Sequence, residues 1–206
     1  MDIGAKYGVS ATIAALENGA EVMICDENES LLSNLRDTIH VKLKPKLKTI
    51  VSTFPYGLNI QAHSVSGILV SNVFNFMDGD TIIDSLHSCW RWLTPSGKLF
   101  ITVTTPQLYP QLIPEYEARL KAGTKWPGVF HLKSMVSEQC GQNMPDVVHL
   151  FELNELQDLV EKAHFSIDSL EYFCYKNYPI EHRFNGKEFI SLWATKISPI
   201  EHDIYP

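Results

Sequence analysis

Hydrophobic positions fall into alternating blocks along this chain. In GVSATIAALENGA (8–20), Val9, Ile13 and Leu16 recur at helical spacing, and Gly19 suits the left-handed residue that ends a helix. EVMIC (21–25) is a short apolar run and predicts a strand. ESLLSNLRDTI (29–39) carries the amphipathic pattern of a helix, and LKTIVST (47–53) that of a strand. SGILVSNVF (66–74) is apolar almost throughout, as in a strand buried inside a parallel sheet. DTIIDSLHSCWRWL (80–93) predicts a helix with acidic residues at its start, TPSG (94–97) a turn, and KLFITVTT (98–105) another strand. NELQDLVEKAHF (154–165) predicts a late helix, with Asn154 as its cap and Gln157 three residues on. SIDSLEYFCY (166–175) and KEFISLWATKI (187–197) predict two strands, joined too closely for a parallel crossover and therefore expected to be antiparallel. Such alternation indicates βαβ units around a mainly parallel sheet.

Residues 106–150 interrupt the rhythm. Pro106, Pro110, Pro114, Pro127 and Pro145 are interleaved with Tyr109, Tyr116, Trp126 and Phe130, and LIPEYEARLKAG (112–123) fits one short helix. A long connection of this kind reads as a lid or binding loop. The 206 residues show no internal repeat and no second composition, so one domain over 1–206 is expected, with 106–150 as a substrate-side insertion.

Charge narrows the function classes. The formal net charge is −7, and the densest basic run, VKLKPKLK (41–48), alternates lysine with apolar residues like a solvated edge. An acidic chain without a basic stripe is a poor phosphate-backbone binder, so nucleic acid is not an expected partner. No apolar run is long enough to span a membrane. Cys25, Cys89, Cys140 and Cys174 form no CxxC pair, which suggests neither a metal site nor a disulfide framework and fits a reducing, cytoplasmic setting. The sequence does not indicate an oligomeric state.

The candidate chemistry lies at the start. In DIGAKYG (2–8), Gly4 and Gly8 allow a ligand to approach the backbone just before a helix N-terminus. Asp26 ends the next predicted strand, 18 residues after Gly8, where a carboxylate can accept hydrogen bonds from two ribose hydroxyls.

Taken in order, DIGAKYG, VMICD, ILVSNVFNFM and WRWLTPSGKLFI resemble the consecutive motifs of class I S-adenosylmethionine-dependent methyltransferases. The resemblance covers 1–105 well and continues more loosely to the end. It implies a doubly wound, Rossmann-like α/β fold: a mostly parallel seven-stranded sheet with an antiparallel last strand. The first strand of that fold is central and lies just before the loop. Only Met1 precedes Asp2, so this strand is expected to be missing or truncated, or replaced by another segment.

The family's first loop reads acidic-x-Gly-x-Gly-x-Gly. Asp2, Gly4 and Gly8 match it, and Lys6 replaces the middle glycine. By resemblance, Gly4, Ala5, Lys6, Tyr7 and Gly8 wrap the methionine part of the cofactor. Asp26 holds the ribose, with Glu27 beside it. Ser52, Thr53 and Phe54 flank the adenine, with Thr53 where relatives often carry an acid. Ser71, Asn72 and Val73 lie near the methionine group and the transferred methyl. Ser96 stands where the family's Leu-x-Pro-Gly-Gly turn has its first glycine. Lys6 either pairs with the methionine carboxylate or points to solvent.

The donor is already activated, so a general base is needed only if the acceptor must lose a proton. No catalytic residue is fixed by the sequence; His131 and His149 are the candidates, with His164 read as structural. Tyr109 and Tyr116 are possible orienters, and Tyr109, Trp126 and Phe130 are expected at the substrate, most simply a small molecule, alternatively a protein side chain. Two other readings stand beside methyl transfer. One is a non-catalytic relative that keeps the fold without the cofactor. The other is a nicotinamide-dependent oxidoreductase, although GAKYGV does not fit Gly-x-Gly-x-x-Gly.

Overall fold

The computed structural model describes residues 1–4, 9–131, 146–180 and 183–197. Nine strands and five α-helices are described. They are β1 (Asp2–Ile3), α1 (Val9–Glu17), β2 (Val22–Asp26), α2 (Glu29–Thr38), β3 (Leu47–Val51), β4 (Val65–Ser71) and α3 (Gly79–Trp92), then β5 (Leu93–Thr104), α4 (Ile113–Lys121), β6 (Val129–Phe130), β7 (Val148–His149), α5 (Leu153–Lys162), β8 (Phe165–Phe173) and β9 (Phe189–Lys196). Seven strands form one sheet in the order β3-β2-β1-β4-β5-β9-β8. The pairings from β3 to β5 are parallel, and β9 runs antiparallel to both β5 and β8.

The sheet's centre is filled by the chain's own first residues. Asp2 and Ile3 pair with Ile24 and Cys25 on one side and with Leu69 and Val70 on the other. The ladder extends beyond the two residues: Gly4 donates its N–H to Cys25 O at 2.8 Å, and Met1 O accepts from Leu69 N at 2.9 Å. The central strand is therefore short but present, and no other segment takes its place.

Alternation along β2 separates two cores. Val22 and Ile24 face α1 and α2, where they bury Leu16, Leu32 and Leu35. Cys25 faces the opposite way, into the larger core with Ile3, Val70, the inner face of α3 (Ile82, Leu86, Cys89, Trp92) and Leu156 and Val160 of α5. Helices thus cover both faces, the doubly wound arrangement. Burial pushes the Cys25 thiol up to about 11 and the Cys89 thiol to about 12, so both are protonated core groups.

Side-chain caps fix the starts of two helices. Asn28 accepts from Leu31 N at the head of α2, and Asp78 accepts from Thr81 N at the head of α3. Gly19, at φ +91°, ends α1 as expected. Helix α5 departs from the sequence reading: it begins at Leu153, with Glu152 rather than Asn154 in the cap position. The Glu152 carboxylate accepts from the Tyr172 hydroxyl at 2.6 Å instead of capping. The TPSG turn is a step inside β5, where Leu93 pairs with Val65 but Lys98 with Gly67. Ser96 adopts φ +60° there, in the left-handed region the family turn gives to glycine.

After β5, the turns Pro106–Leu108 and Pro110–Leu112 lead into α4, and β6 pairs with β7 in a two-stranded sheet. Leu112, Tyr116, Phe130, Val148 and Leu150 bury one another in a separate small core. No described helix is long and apolar enough to cross a membrane.

Candidate functional site

Strand order reverses between β1 and β4: the chain builds β2 and β3 on one side of β1, then crosses to β4 and β5 on the other. In open α/β sheets the crevice at the carboxyl ends of the strands beside such a switch point is where ligands bind. Gly4 leaves β1 at this point with φ +80°. A Cβ placed on it would lie 2.4 Å from Val73 Cγ2, just beyond β4, so only glycine lets the two strand tips approach this closely. Asp2 is buried, and its Oδ2 accepts from the Thr12 hydroxyl of α1 at 2.7 Å. Its Oδ1 has no hydrogen-bond partner among the described residues. Burial raises the Asp2 carboxyl, with Thr12 and the amino-terminal ammonium pulling the other way. Ala5, Lys6, Tyr7 and Gly8 lie outside the described residues.

Asp26 ends β2, and its Oδ1 accepts from Asn28 N at 2.8 Å. This bond turns the chain into α2 and holds the carboxylate at the strand's tip. Glu27 is exposed beside it. On the neighbouring tip of β3, Ser52 donates its N–H to Asp26 O at 3.0 Å, with Thr53 exposed next to it. Phe54 departs from the expected place at the adenine: its ring is buried in the main core, 6.0 Å from that of Trp92. An apolar ring at the head of the connection to β4 gains more from the core than from the rim.

At the tip of β4, Ser71 Oγ lies 2.9 Å from Thr102 Oγ1 of β5. Asn72 takes φ +56°, a left-handed conformation that asparagine tolerates better than most residues. Its N–H donates to Thr102 O at 2.8 Å, and its Nδ2 donates to the Tyr175 hydroxyl at 3.3 Å. The Asn72 Oδ1 is buried and has no hydrogen-bond partner among the described residues.

The insertion places its residues differently from the sequence reading. Phe130 is wholly buried in the small core, with the Arg119 guanidinium 4.4 Å above its ring, and lines no cavity mouth. Trp126 packs on Gly79, where a Cβ would come within 2.0 Å of the indole, and meets the His149 ring edge-on at 5.8 Å. His149 is also interior: 0% exposed, stacked on Phe151 at 4.1 Å, its Nε2 3.1 Å from Glu155 Oε1. Its ring is enclosed between Trp126 and Phe151, and its Nδ1 is buried without a hydrogen-bond partner among the described residues. His131 is exposed. Tyr116 lies in the small core, its hydroxyl raised by burial and by the nearby Glu155 and Glu152 carboxylates. His164 ends α5 at φ +64° and accepts from Ile197 N, a structural place as expected. Among the described residues no group of three or more His, Cys, Asp or Glu side chains is placed to hold a metal ion.

Tyr109 does reach a cavity. A hollow of about 390 Å³ lies between Leu108, Tyr109, Pro110 and Gln111 on one side and Tyr178 and Phe184 on the other. Tyr178 and Phe184 belong to the connection from β8 to β9, which the sequence marks only by its turn residues. Because β9 is antiparallel to β5, this connection emerges at the same end of the sheet as Gly4, Asp26 and Asn72. Glu188 ties it down: its Oε1 accepts from the amides of Phe184, Asn185 and Gly186 at 2.6, 2.8 and 3.1 Å.

No protein-family model and no curated protein matches this sequence. Solved structures do match its fold. An S-adenosylmethionine-dependent methyltransferase from Methanosarcina mazei superposes with a TM-score of 0.71 at 17% identity, over 95% of this chain and 91% of that one. One from Mesorhizobium loti gives 0.69 at 15% identity, over 95% and 89%. The Burkholderia thailandensis 1,6-didemethyltoxoflavin-N1-methyltransferase, solved with 1,6-didemethyltoxoflavin and S-adenosylhomocysteine, gives 0.65 at 18% identity, over 96% and 70%. The seven-stranded architecture is the one these enzymes share.

Proposed function

We propose that this protein, built on the class I methyltransferase fold, binds S-adenosylmethionine at the carboxyl ends of β1, β2 and β4 and directs its methyl group to a small molecule. The observation that carries this reading is the convergence of the Gly4 turn, the Asp26 carboxylate and the Asn72 carboxamide at the switch point of the sheet.

The residues fit the group. Asp26 supplies the acceptor that ribose hydroxyls need. The cofactor's methionine end carries an ammonium, and Asp2 Oδ1 and Asn72 Oδ1 are both buried acceptors without a partner among the described residues. Leaving such an atom unpaired costs about 1–3 kcal/mol, which a donating ligand recovers. Ala5–Gly8 remain assigned to this end by resemblance alone, as are Ser52 and Thr53 to the adenine.

When bound, the cofactor supplies a methyl group already activated on a sulfonium. The chain's contribution is alignment and exclusion of water. Gly4 and Val73 close one side of the site, and Asn72 is held by its bonds to Thr102 and Tyr175. The small-molecule acceptor is supported by the Burkholderia enzyme of the same fold and by the −7 charge, which opposes nucleic acid. Widely spaced cysteines, two of them buried thiols, support a cytoplasmic setting.

Calorimetric titration with S-adenosylhomocysteine, with NAD as control, tests the reading. Binding of the first alone, with a micromolar Kd (about −8 kcal/mol), is expected. A folded chain that binds neither is the non-catalytic relative; one that binds only NAD is an oxidoreductase.

A further inference from the structure

We propose that this chain pairs with a second copy of itself through the sheet face that carries Phe100 and Trp193. The proposal is independent of the cofactor reading, which assigns neither residue.

This face has an aromatic centre that the described residues leave uncovered. On one side of the sheet α3 and α5 close the main core, and on the other α1 and α2 pack around β2. Alternation along β5 turns Leu99 and Ile101 into the main core and Lys98, Phe100 and Thr102 away from it. Along β9 it turns Leu192 and Ala194 inward and Ser191, Trp193 and Thr195 away. Phe100 and Trp193 stand directly opposite each other across the β5–β9 ladder, their rings 6.2 Å apart, and Leu69 lies opposite Phe100 on β4. Phe100 is 37% exposed and Trp193 45%. Among the described residues, Leu69, Phe100 and Trp193 belong to none of the three buried cores.

An aromatic centre inside a rim of small polar and charged side chains is the make-up of a protein interface, where Trp often carries much of the affinity. The charges at the rim select the partner. Lys98 lies opposite Thr195, and Glu171 of β8 lies opposite Ser191, each two residues along β9 from Trp193. Trp193 therefore sits midway on the diagonal from Lys98 to Glu171. The Lys98 ammonium is 3.0 Å from Asp168 Oδ2, yet its side chain stays 42% exposed, and Glu171 is exposed. A partner of one sign, such as nucleic acid, would be drawn to one corner of this face and repelled at the other.

A second copy answers both corners. A two-fold axis lying between the copies and passing over Trp193 sets Lys98 of each against Glu171 of the other, with the Trp193 and Phe100 side chains of both between them. That is the self-complementarity an isologous interface requires. The two sheets then face each other at about 10 Å, the spacing of packed sheets.

Sedimentation velocity of the full chain over a concentration series tests this, with circular dichroism confirming that each variant is folded. The parent is expected to form a dimer with a micromolar dissociation constant. Trp193→Ala should weaken it at least about tenfold, the loss typical of an interface hot spot. Glu171→Lys sets lysine against Lys98 of the other copy and should weaken association too. Added salt screens that repulsion, so it should strengthen association of Glu171→Lys while leaving the parent unchanged or weaker. Should Trp193→Ala fail to fold, Glu171→Lys, at an exposed position, carries the test. A parent that stays monomeric at every concentration overturns the proposal. So does a dimer that Trp193→Ala leaves as tight as the parent, or one in which parent and Glu171→Lys respond alike to salt.

Discussion

Gly4 and Val73 touch across the centre of the sheet: a Cβ on Gly4 would lie 2.4 Å from Val73 Cγ2, and Gly4 itself sits at φ +80°. Two costs therefore meet in Gly4→Ala. The left-handed backbone costs an L-residue roughly 1–2 kcal/mol, and overpacking adds about 1–3 kcal/mol. Denaturant unfolding should show Gly4→Ala destabilised by about 2–5 kcal/mol. Adding Val73→Ala should return the overpacking share but not the backbone share, a coupling visible in the double-mutant cycle. Simple additivity of the two substitutions would mean that the strand tips do not meet as described.

Asp26 has a structural and a proposed ligand role, and two substitutions separate them. Asp26→Asn keeps an oxygen for the Asn28 amide, whereas Asp26→Ala removes it. The lost bond should cost about 0.5–1.5 kcal/mol of stability. If the carboxylate holds the ribose, Asp26→Ala should also weaken S-adenosylhomocysteine binding at least about tenfold, about 1.4 kcal/mol, by calorimetry. Unchanged affinity in the folded variant would remove Asp26 from the site.

Much of the fold was legible because its elements are long enough to show a period. The inner face of α3 repeats through Ile82, Leu86 and Cys89, and the apolar run of β4 buries Ile68 and Val70 fully and Leu69 in part. Strand β1 was not legible, because two residues carry no period; its identity comes from neighbours that hydrogen-bond to it on both sides. The start of α5 differs because Asn154 has cap chemistry, while the burial of Leu156 and Val160 and the bond from Tyr172 to Glu152 set the cap two residues earlier. At the site, the glycine turn and Asp26 follow a chain order that sequence can display. Tyr175, Tyr178 and Phe184 do not: they are spaced without period in a turn-rich connection, and only the antiparallel return of β9 brings them beside Tyr109 and Asn72.

His149 illustrates a residue whose type suggests chemistry and whose surroundings assign packing. Its ring lies between Trp126 and Phe151, and its backbone carbonyl accepts from Asn75 Nδ2 at 2.7 Å. His149→Ala should lose the stacked ring and leave Glu155 without its imidazole, lowering stability by about 2–4 kcal/mol. His149→Phe should recover part of that loss by restoring the stack. Neither variant should change S-adenosylhomocysteine affinity by more than about twofold where it remains folded. A large affinity change in folded His149→Phe would return the residue to the site.

Glu188 predicts an acid response. Burial works against its charge, but the amides of Asn185, Phe184 and Gly186 outweigh it and hold the carboxyl at about 2, below the ordinary 4.5. A carboxyl depressed in the folded state stabilises the fold above its unfolded value, and that contribution is lost as pH falls from about 4.5 toward 2. Glu188→Gln removes this titration and keeps one carbonyl oxygen for the three amides. Across that pH range the variant should lose less stability than the parent in chemical unfolding. At pH 7 it should be the less stable of the two, because a neutral carbonyl is a weaker acceptor than a carboxylate. Parallel acid profiles for the two proteins would show that the 184–186 amides do not hold the carboxylate in the folded state.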